Sequence, residues 1–237
     1  MTMDDLPRDE SRAGTLATAA YERIRQEIVG GRLLPGEKLR VDALRDRYEI
    51  GGSPLREALA RLSAEGLVSQ QEQKGFRVST ISAGDLVELT RTRCWVNEIA
   101  LRDAIAHGDA AWEENIVLAF HRLKRTPVRL VTEPTVNPEW NRLHRSFHVA
   151  LVAACRSRWM LNFHNTLFDC AERYRNVVAV LSPEDRDSVG EHTAIMEATI
   201  ERKLDVALPL LNAHFERTTS LLLKELPDLV DPLKAQV

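Results

Sequence analysis

Residues 52–78, "GSPLREALARLSAEGLVSQQEQKGFRV", decide the fold of the first part of the chain. Leucines recur at helical spacing through the first half of this segment, and Ser53 is placed to cap the helix at its start. Gly66 predicts the end of the helix. The remainder forms two short segments around a polar tip at Lys74 and Gly75, which is typical of a small hairpin. The segment therefore predicts a helix followed by a hairpin.

Two more helices are predicted upstream of this segment. Apolar residues at positions 16, 20, 21, 24 and 28 follow helical spacing as far as Val29. Two glycines and the turn "LLPGEKL" then interrupt the pattern, and a short helix over residues 40–48 follows. Three helices and a hairpin describe a winged helix-turn-helix domain, which we assign to residues 16–80. Residues 1–15 are predicted to be a flexible polar tail.

Beyond Ser82 the sequence predicts long helices with almost no strand signal. The six predicted helices cover residues 82–107, 109–125, 138–155, 158–180, 184–202 and 204–225. An antiparallel six-helix bundle would bury their apolar faces. The fold is therefore predicted to be mainly α, with a linker at residues 81–84, a helical domain over residues 85–226 and a C-terminal tail at residues 227–237.

The composition predicts a soluble cytoplasmic protein. Of the 237 residues, 44% are hydrophobic and 28% are charged, and the net charge is −3, so any nucleic-acid binding requires a local basic patch. The three cysteines lack CxxC spacing, which favours thiols in a reducing compartment over disulfides. No apolar run is long enough to cross a bilayer, so no membrane partner is expected.

Several cations occur where a winged helix would meet DNA. They are Arg40, Arg45, Arg47, Arg56 and Lys74, and the backbone amides near Ser53 are a further candidate for phosphate contact. The alternative is that each cation is a solvated side chain that pairs with a nearby acid. The arrangement as a whole favours DNA binding more strongly than any single residue does.

Two histidines lie one turn apart in an apolar helix, "EWNRLHRSFHVALVAAC", residues 139–155. His144 and His148 share its inward face, and an i, i+4 pair of imidazoles can chelate a divalent metal ion. His192 and His214 lie on later helices among apolar neighbours, so the four histidines could form one site. The alternative is four separate core histidines, each with its own hydrogen bond. The other histidines are predicted nearer helix ends or polar faces.

Three motifs of the first half resemble the DNA-binding domain of the GntR family of bacterial transcription regulators. They are the turn "LLPGEKL", the helix "PLREAL" and the wing "GFRV", in that order. The resemblance implies a homodimer on a palindromic double-stranded operator, with Arg56 on the recognition helix and Lys74 at the wing tip. Gly51 and Gly52 stand where many members have serine and arginine, so the contact made by that arginine is not transferred.

The second half resembles the FCD domain, the helical effector-binding domain of the FadR-type branch of that family. The segments "LTRTRCWVNEIALR", "RSFHVALVAAC" and "GEHTAIMEATIERKLDVALPLLNAHFERT" match its first helix, its "FH" helix and its last two helices. Many members bind zinc, nickel or a similar ion through an aspartate and three histidines, which correspond here to His144, His148, His192 and His214. Histidine thus replaces the aspartate, which makes the site more electropositive and suits an anionic effector.

The resemblance also implies an effector pocket. Arg93 matches an arginine that faces this pocket, and Asn97 stands where the family usually has glutamate. Arg175 is a second candidate for gripping a carboxylate, because a guanidinium can bind one bidentately. Within the family, the chain resembles the carbon-starvation-induced, GABA-catabolism type of repressor. That subgroup implies a C4 or C5 dicarboxylate effector, for example 2-hydroxyglutarate.

The predicted function is a ligand-responsive transcription regulator, a repressor that a small carboxylate bound beside a metal ion releases from its operator. One alternative is a metal-dependent enzyme that acts on a small acid through the histidines. That reading lacks an obvious general base and does not account for the winged helix. Another is a constitutive DNA-binding protein whose bundle only dimerises. We therefore predict that the chain is not an enzyme.

Overall fold

The computed structural model describes residues 8–71, 74–130, 136–178 and 187–230 and divides the chain into two units. The first unit runs to Thr80 and the second begins at Ile81. In the first unit the elements are α1 (Arg8–Val29), β1 (Lys38–Leu39), α2 (Val41–Tyr48), α3 (Gly52–Ala64), β2 (Val68–Gln71) and β3 (Gly75–Val78). This order of elements is that of the predicted winged helix-turn-helix.

The wing is a three-stranded antiparallel sheet in the order β1-β3-β2. The predicted hairpin is formed by β2 and β3, with Val68 opposite Val78. Strand β1 adds to the other edge of β3, with Lys38 opposite Arg77. The sequence analysis did not predict β1, because a strand of two residues is too short to show alternation.

The ends of two helices differ from the prediction. Helix α1 begins at Arg8, so the predicted tail at residues 1–15 is wrong in its second half. The N-cap residue of α3 is Gly51, and Ser53 lies inside the helix, so the predicted capping role of Ser53 is wrong. The predicted end of α3 before Gly66 is confirmed: Gly66 adopts φ +77°, a left-handed conformation that glycine tolerates after a helix.

A buried carboxylate connects α1 to α2 inside the first unit. Tyr48 donates its hydroxyl to Glu27 over 2.7 Å, and Arg47 pairs with the same carboxylate at 2.8 Å. Buried apolar side chains surround this contact and form the core: Ala17, Ala20, Ile24, Ile28, Leu44, Leu55, Leu59, Leu62, Leu67 and Val78. Arg47 therefore has a structural partner in addition to any phosphate it contacts.

The second unit is a bundle of long helices, as predicted. Within its described residues the helices are α4 (Ala83–His107), α5 (Ala110–Lys124), α6 (Pro138–Val152), α7 (Arg158–Val178), α8 (Ser188–Ile200) and α9 (Leu204–Val230). Side-chain oxygens of Ser82, Asp109, Asn137 and Asp187 cap four of these helices by accepting backbone N–H groups. Helix α6 ends three residues before its predicted end, and α9 extends past its predicted end at residue 225. Residues 179–186 and the predicted tail from residue 231 lie outside the described parts.

The bundle encloses one large apolar core. Helix α4 packs against α7 and α9, α5 packs against α6 and α8, and α8 packs against α9. Fully buried side chains at the centre include Phe147, Ile195, Leu211 and Phe215. No disulfide joins the three cysteines. This packing brings α6, α8 and α9, which carry the predicted histidines, to one place.

Candidate metal and effector site

The four predicted histidines form one buried cluster. His144 and His148 come from α6, His192 from α8 and His214 from α9, and one ring nitrogen from each lies within 4.8 Å of the others. The Nε2 atoms of His144 and His148 are 3.1 Å apart. The rings of His192 and His214 have centroids 4.7 Å apart. Four separate core histidines would not converge in this way, so the structure favours the single-site interpretation.

The electrostatics of the cluster keep at least two of its rings neutral. Burial, followed by the charge of Arg175, lowers the pKa of His144 well below its usual value. Burial, followed by His214 and His192, does the same to the pKa of His148. A neutral imidazole is the form that binds a metal ion. The donor set therefore fits a divalent ion that prefers nitrogen ligands.

A carboxylate orients one of the four rings. His214 donates from Nδ1 to Glu191 over 2.8 Å, and Arg217 pairs with the other oxygen of Glu191. Because Nδ1 carries the hydrogen of this contact, Nε2 is the nitrogen through which His214 would coordinate a metal ion. A carboxylate behind a ligating histidine is a common feature of metal sites, where it fixes the tautomer and raises ligand basicity.

Arg175 on α7 contacts the cluster from another side. Its guanidinium lies 3.1 Å from Nδ1 of His144 and donates to Glu172 over 3.0 Å and to Asn141 over 3.3 Å. It also lies over the ring of Trp140, at 5.4 Å from the centroid. The structure thus places Arg175 directly beside the predicted ligand His144.

Arg93 on α4 is a second cation near the histidines, and unlike the half-buried Arg175 it is buried. Its guanidinium lies 4.0 Å from the ring centroid of Phe215, and burial together with Arg175 lowers its pKa to about 10, so it remains charged at neutral pH. Asn97, one turn later, donates to the carbonyl of Arg93 and lies with its side-chain oxygen 3.1 Å from Nδ1 of His164. Arg93 and Arg175 place two positive charges beside one buried carboxylate, that of Glu172, and the excess of positive charge suits the binding of an anion.

The burial of His164 was not predicted, because a position nearer a polar face was expected for it. The side chain is buried, and its Nε2 has no hydrogen-bond partner among the described residues. Burial, followed by Arg93, lowers the pKa of His164 to about 3. Spacing could have revealed it, because His164, Phe168, Glu172 and Arg175 recur every three or four residues on α7 and share one face.

A small cavity connects the arginines with the histidines. Its volume is about 20 Å³, enough for one water molecule, and its polar lining includes Arg93, His144, Arg175 and His214. Thr90 and Thr219, which hydrogen-bond each other at 2.5 Å, lie at its other end. A dicarboxylate does not fit in this space, so a ligand has to displace a side chain.

The predicted DNA-contacting residues lie on the first unit. Arg40 and Arg56 border one open groove of about 630 Å³ between the wing and α2, and Gly75 of the wing borders it as well. Lys74 is exposed at the wing tip. Arg45 pairs with Asp42 and Asp46 on its own helix, at 3.9 and 3.5 Å. Arg40 and Arg56 thus border the groove and Lys74 is exposed at the wing, whereas Arg45 and Arg47 pair with acidic side chains.

A winged helix-turn-helix followed by a helical unit with a buried polar site defines a class of protein, the ligand-responsive DNA-binding transcription regulator. Residues 16–78 match the family described as "Bacterial regulatory proteins, gntR family", and residues 88–217 match the FCD domain. The chain belongs to the GntR family, in its FCD-containing branch. The comparisons therefore favour a regulator over the enzyme that the sequence left as an alternative.

Two similar proteins carry names of regulators. The chain is 35% identical to the HTH-type transcriptional regulator BphR of Paraburkholderia xenovorans (strain LB400), covering 92% of this chain and 89% of that protein. It is 34% identical to the HTH-type transcriptional repressor GlaR of Escherichia coli (strain K12), covering 82% of this chain and 90% of that protein. These relatives support the family assignment over both units.

Solved structures have the same fold at low sequence identity. The E. coli protein McbR/YncC superposes with a TM-score of 0.75 at 16% identity, covering 88% of this chain and 97% of its own. A putative GntR regulator from Rhodococcus sp. RHA1 superposes with a TM-score of 0.71 at 19% identity, covering 89% and 98%. Among the described residues, no helix has the length and apolarity that crossing a membrane requires.

Proposed function

We propose that the chain is a transcriptional repressor that a small carboxylate, bound beside a divalent metal ion, releases from its operator. The observation that carries the proposal is the shared cavity, because two of the histidines, the buried Arg93 and the half-buried Arg175 border the same space. The histidines suit a cation, and the arginines suit an anion. A ligand that is both a carboxylate and a metal ligand would satisfy the two groups together.

His144, His148, His192 and His214 would hold the metal, with zinc or nickel as the ion that four imidazoles favour. Glu191 supports the set by orienting His214. When bound, the ion would supply positive charge and open coordination positions for a carboxylate oxygen. No negatively charged residue belongs to the four-histidine set, so the charge of the ion would remain available to an anion.

Arg93 and Arg175 would grip the effector, and Asn97 would position Arg93. Their guanidinium groups favour a small anion, and the proposed class is a C4 or C5 dicarboxylate such as 2-hydroxyglutarate. The cavity holds only about one water molecule, so binding requires rearrangement around it. A ligand that fits only the rearranged form shifts the protein toward that form, as regulation requires.

The winged helix would bind a palindromic double-stranded operator through Arg40, Arg45, Arg47, Arg56 and Lys74, with backbone amides near Ser53 on a phosphate. The groove that Arg40 and Arg56 share supports this assignment. Phosphate contacts of this kind fix the position on DNA, and contacts to base edges give specificity. A protein that acts on a chromosomal operator would work in the bacterial cytoplasm.

A palindromic operator implies a homodimer, and the helical unit offers a surface for one. Trp95 and Ile99 on α4 and Trp159 and Phe163 on α7 all point outward and are more than half exposed. The two helices pack against each other, and the exposed side of this helix pair is the candidate face. Large exposed apolar groups at this density are typical of an interaction surface. We assign this face to dimer formation.

Loss of operator binding on addition of effector tests the proposal. Duplexes selected from a random pool by the protein would be titrated by fluorescence anisotropy, with and without succinate or 2-hydroxyglutarate. The proposal expects the dissociation constant to rise at least tenfold with an effector, and Arg93→Met to lose this response while retaining DNA binding. The relative that is named a transcriptional repressor supports the choice of repressor over activator. Unchanged affinity across the C4 and C5 dicarboxylates would reject a dicarboxylate-released repressor.

A further inference from the structure

Two of the four histidines are held by hydrogen-bond partners of opposite kind. His214 faces Glu191, and a carboxylate oxygen accepts, so Nδ1 of His214 carries the hydrogen. Nε2 is then the nitrogen through which His214 would coordinate a metal ion. Glu191 therefore holds His214 in the tautomer that the metal site needs.

His144 faces Arg175 instead, and a guanidinium can only donate. Nδ1 of His144, 3.1 Å from the guanidinium, must therefore accept, which leaves the hydrogen of the neutral ring on Nε2. That Nε2 lies 3.1 Å from Nε2 of His148 and donates to it. In this arrangement the Nε2–H group of His144 points to the centre of the cluster. A nitrogen that coordinates a metal ion would have to present a lone pair there instead.

We propose that Arg175 holds His144 in the tautomer that cannot coordinate a metal, so that this hydrogen bond and four-histidine coordination exclude each other. The inference rests on the proposed metal site. For His144 to become a ligand through Nε2, its hydrogen must move to Nδ1. An N–H group of the imidazole would then face an N–H group of Arg175, which is a repulsive contact. Arg175 must leave this position before His144 can join the other three ligands.

A carboxylate would remove the conflict. Placed between the two side chains, it accepts from Arg175 on one side and from the Nδ1–H of His144 on the other. The cavity at Arg175 has a volume of only about 20 Å³, so the carboxylate enters when the guanidinium moves away from His144. Carboxylate binding and metal binding therefore strengthen each other through Arg175. By linkage, each ligand raises the affinity for the other by the same factor.

The affinity for zinc alone tests the proposed exclusion. Tag-free, metal-stripped protein would be titrated with zinc in competition with a fluorescent chelator. Arg175→Gln replaces a group that only donates with an amide whose oxygen can accept from Nδ1–H of His144. We expect zinc to bind about 10- to 100-fold more tightly to this variant, the range for giving an acceptor to a buried donor that would otherwise face another donor.

Removing a cation also strengthens zinc binding, so the charge effect needs a control. Arg93→Gln is the matched variant, because Arg93 is another buried cation near the cluster but stacks on Phe215 rather than bonding to His144. We expect it to increase zinc affinity several-fold less than Arg175→Gln does. When His144 is already replaced by alanine, Arg175→Gln should increase zinc affinity only by the smaller factor expected from the loss of a positive charge. Equal gains from the two arginine variants, or an undiminished gain without His144, would overturn the inference and leave the metal site standing.

Two further measurements separate the possible failures. Long-range ¹H–¹⁵N spectra of the metal-stripped protein should place the ring hydrogen of His144 on Nε2, and a hydrogen on Nδ1 would overturn the inference directly. Succinate should increase the zinc affinity of the wild type about tenfold, after correction for the zinc that free succinate binds. It should not increase the zinc affinity of Arg175→Gln. No effect of succinate on the wild type would overturn the coupling. Failure of the wild type and every variant to bind zinc would overturn both this inference and the proposed metal site.

Discussion

Substitution of Glu191 measures how much the metal site depends on the orientation of His214. The carboxylate side chain is only 14% exposed and accepts from Nδ1 of His214 over 2.8 Å. Loss of such a support behind a ligating histidine lowers metal affinity by about 10- to 100-fold, or about 1.4 to 2.8 kcal/mol. Glu191→Gln retains a weaker, uncharged acceptor, so its zinc affinity should be about tenfold lower than that of the wild type. Glu191→Ala removes the acceptor, so its zinc affinity should be nearly 100-fold lower.

The assay is the zinc competition titration, with Arg217→Gln as the control. Arg217 pairs with the same carboxylate from the solvent side, so its removal breaks the ion pair and leaves Glu191 on His214. This control should change zinc affinity by less than about threefold, because an exposed ion pair contributes little. Affinities within twofold of the wild type for both Glu191 variants, or a loss in Arg217→Gln as large as theirs, would refute the orienting role.

Three further outcomes are expected. The pKa of His164 is lowered to about 3 in the folded state, so its contribution to stability is present above pH 6.5 and is lost as the pH falls toward 3. In metal-stripped protein below pH 6.5, the free energy of unfolding in urea should therefore fall with pH less steeply for His164→Gln than for the wild type, by about 1.4 kcal/mol per pH unit. Equal slopes for the two proteins would contradict the assignment. Arg56→Ala should weaken operator binding and, if Arg56 contacts a phosphate, reduce the salt slope by about one, whereas an unchanged slope and affinity would remove Arg56 from the interface. Trp159→Glu should shift the protein toward monomers in sedimentation at micromolar concentration, because an aromatic side chain contributes about 1.5–3 kcal/mol on burial; a fully dimeric variant would place the interface elsewhere.

Much of the fold could be predicted because its signals are local. The stripe of leucines on α3, the left-handed glycine at Gly66 and the turn after α1 each determine a short piece of backbone, and together they identify a winged helix. The two-residue strand β1 has no local signal and exists because β3 offers it a hydrogen-bonding edge. Arg8 begins α1 in a polar segment where apolar periodicity gives no indication of a helix.

The histidine site was partly predictable for the same reason. The i, i+4 spacing of His144 and His148 is visible in the sequence, and the apolar neighbours of His192 and His214 indicate inward faces. The partners that decide their tautomers are not visible, because Glu191 and Arg175 meet His214 and His144 only after different helices pack together. The spacing of His164 with Phe168 on α7 indicates a shared face, but the contact with Asn97 forms only when α4 packs against α7.

Native mass spectrometry of tag-free protein after exposure to zinc tests the central claim most directly. The four-histidine site predicts one tightly held zinc ion per chain in the wild type, and loss of that ion in a His148→Ala/His214→Ala double variant that remains folded by circular dichroism. A wild-type chain that carries no ion under these conditions, or a double variant that retains one, would contradict the account.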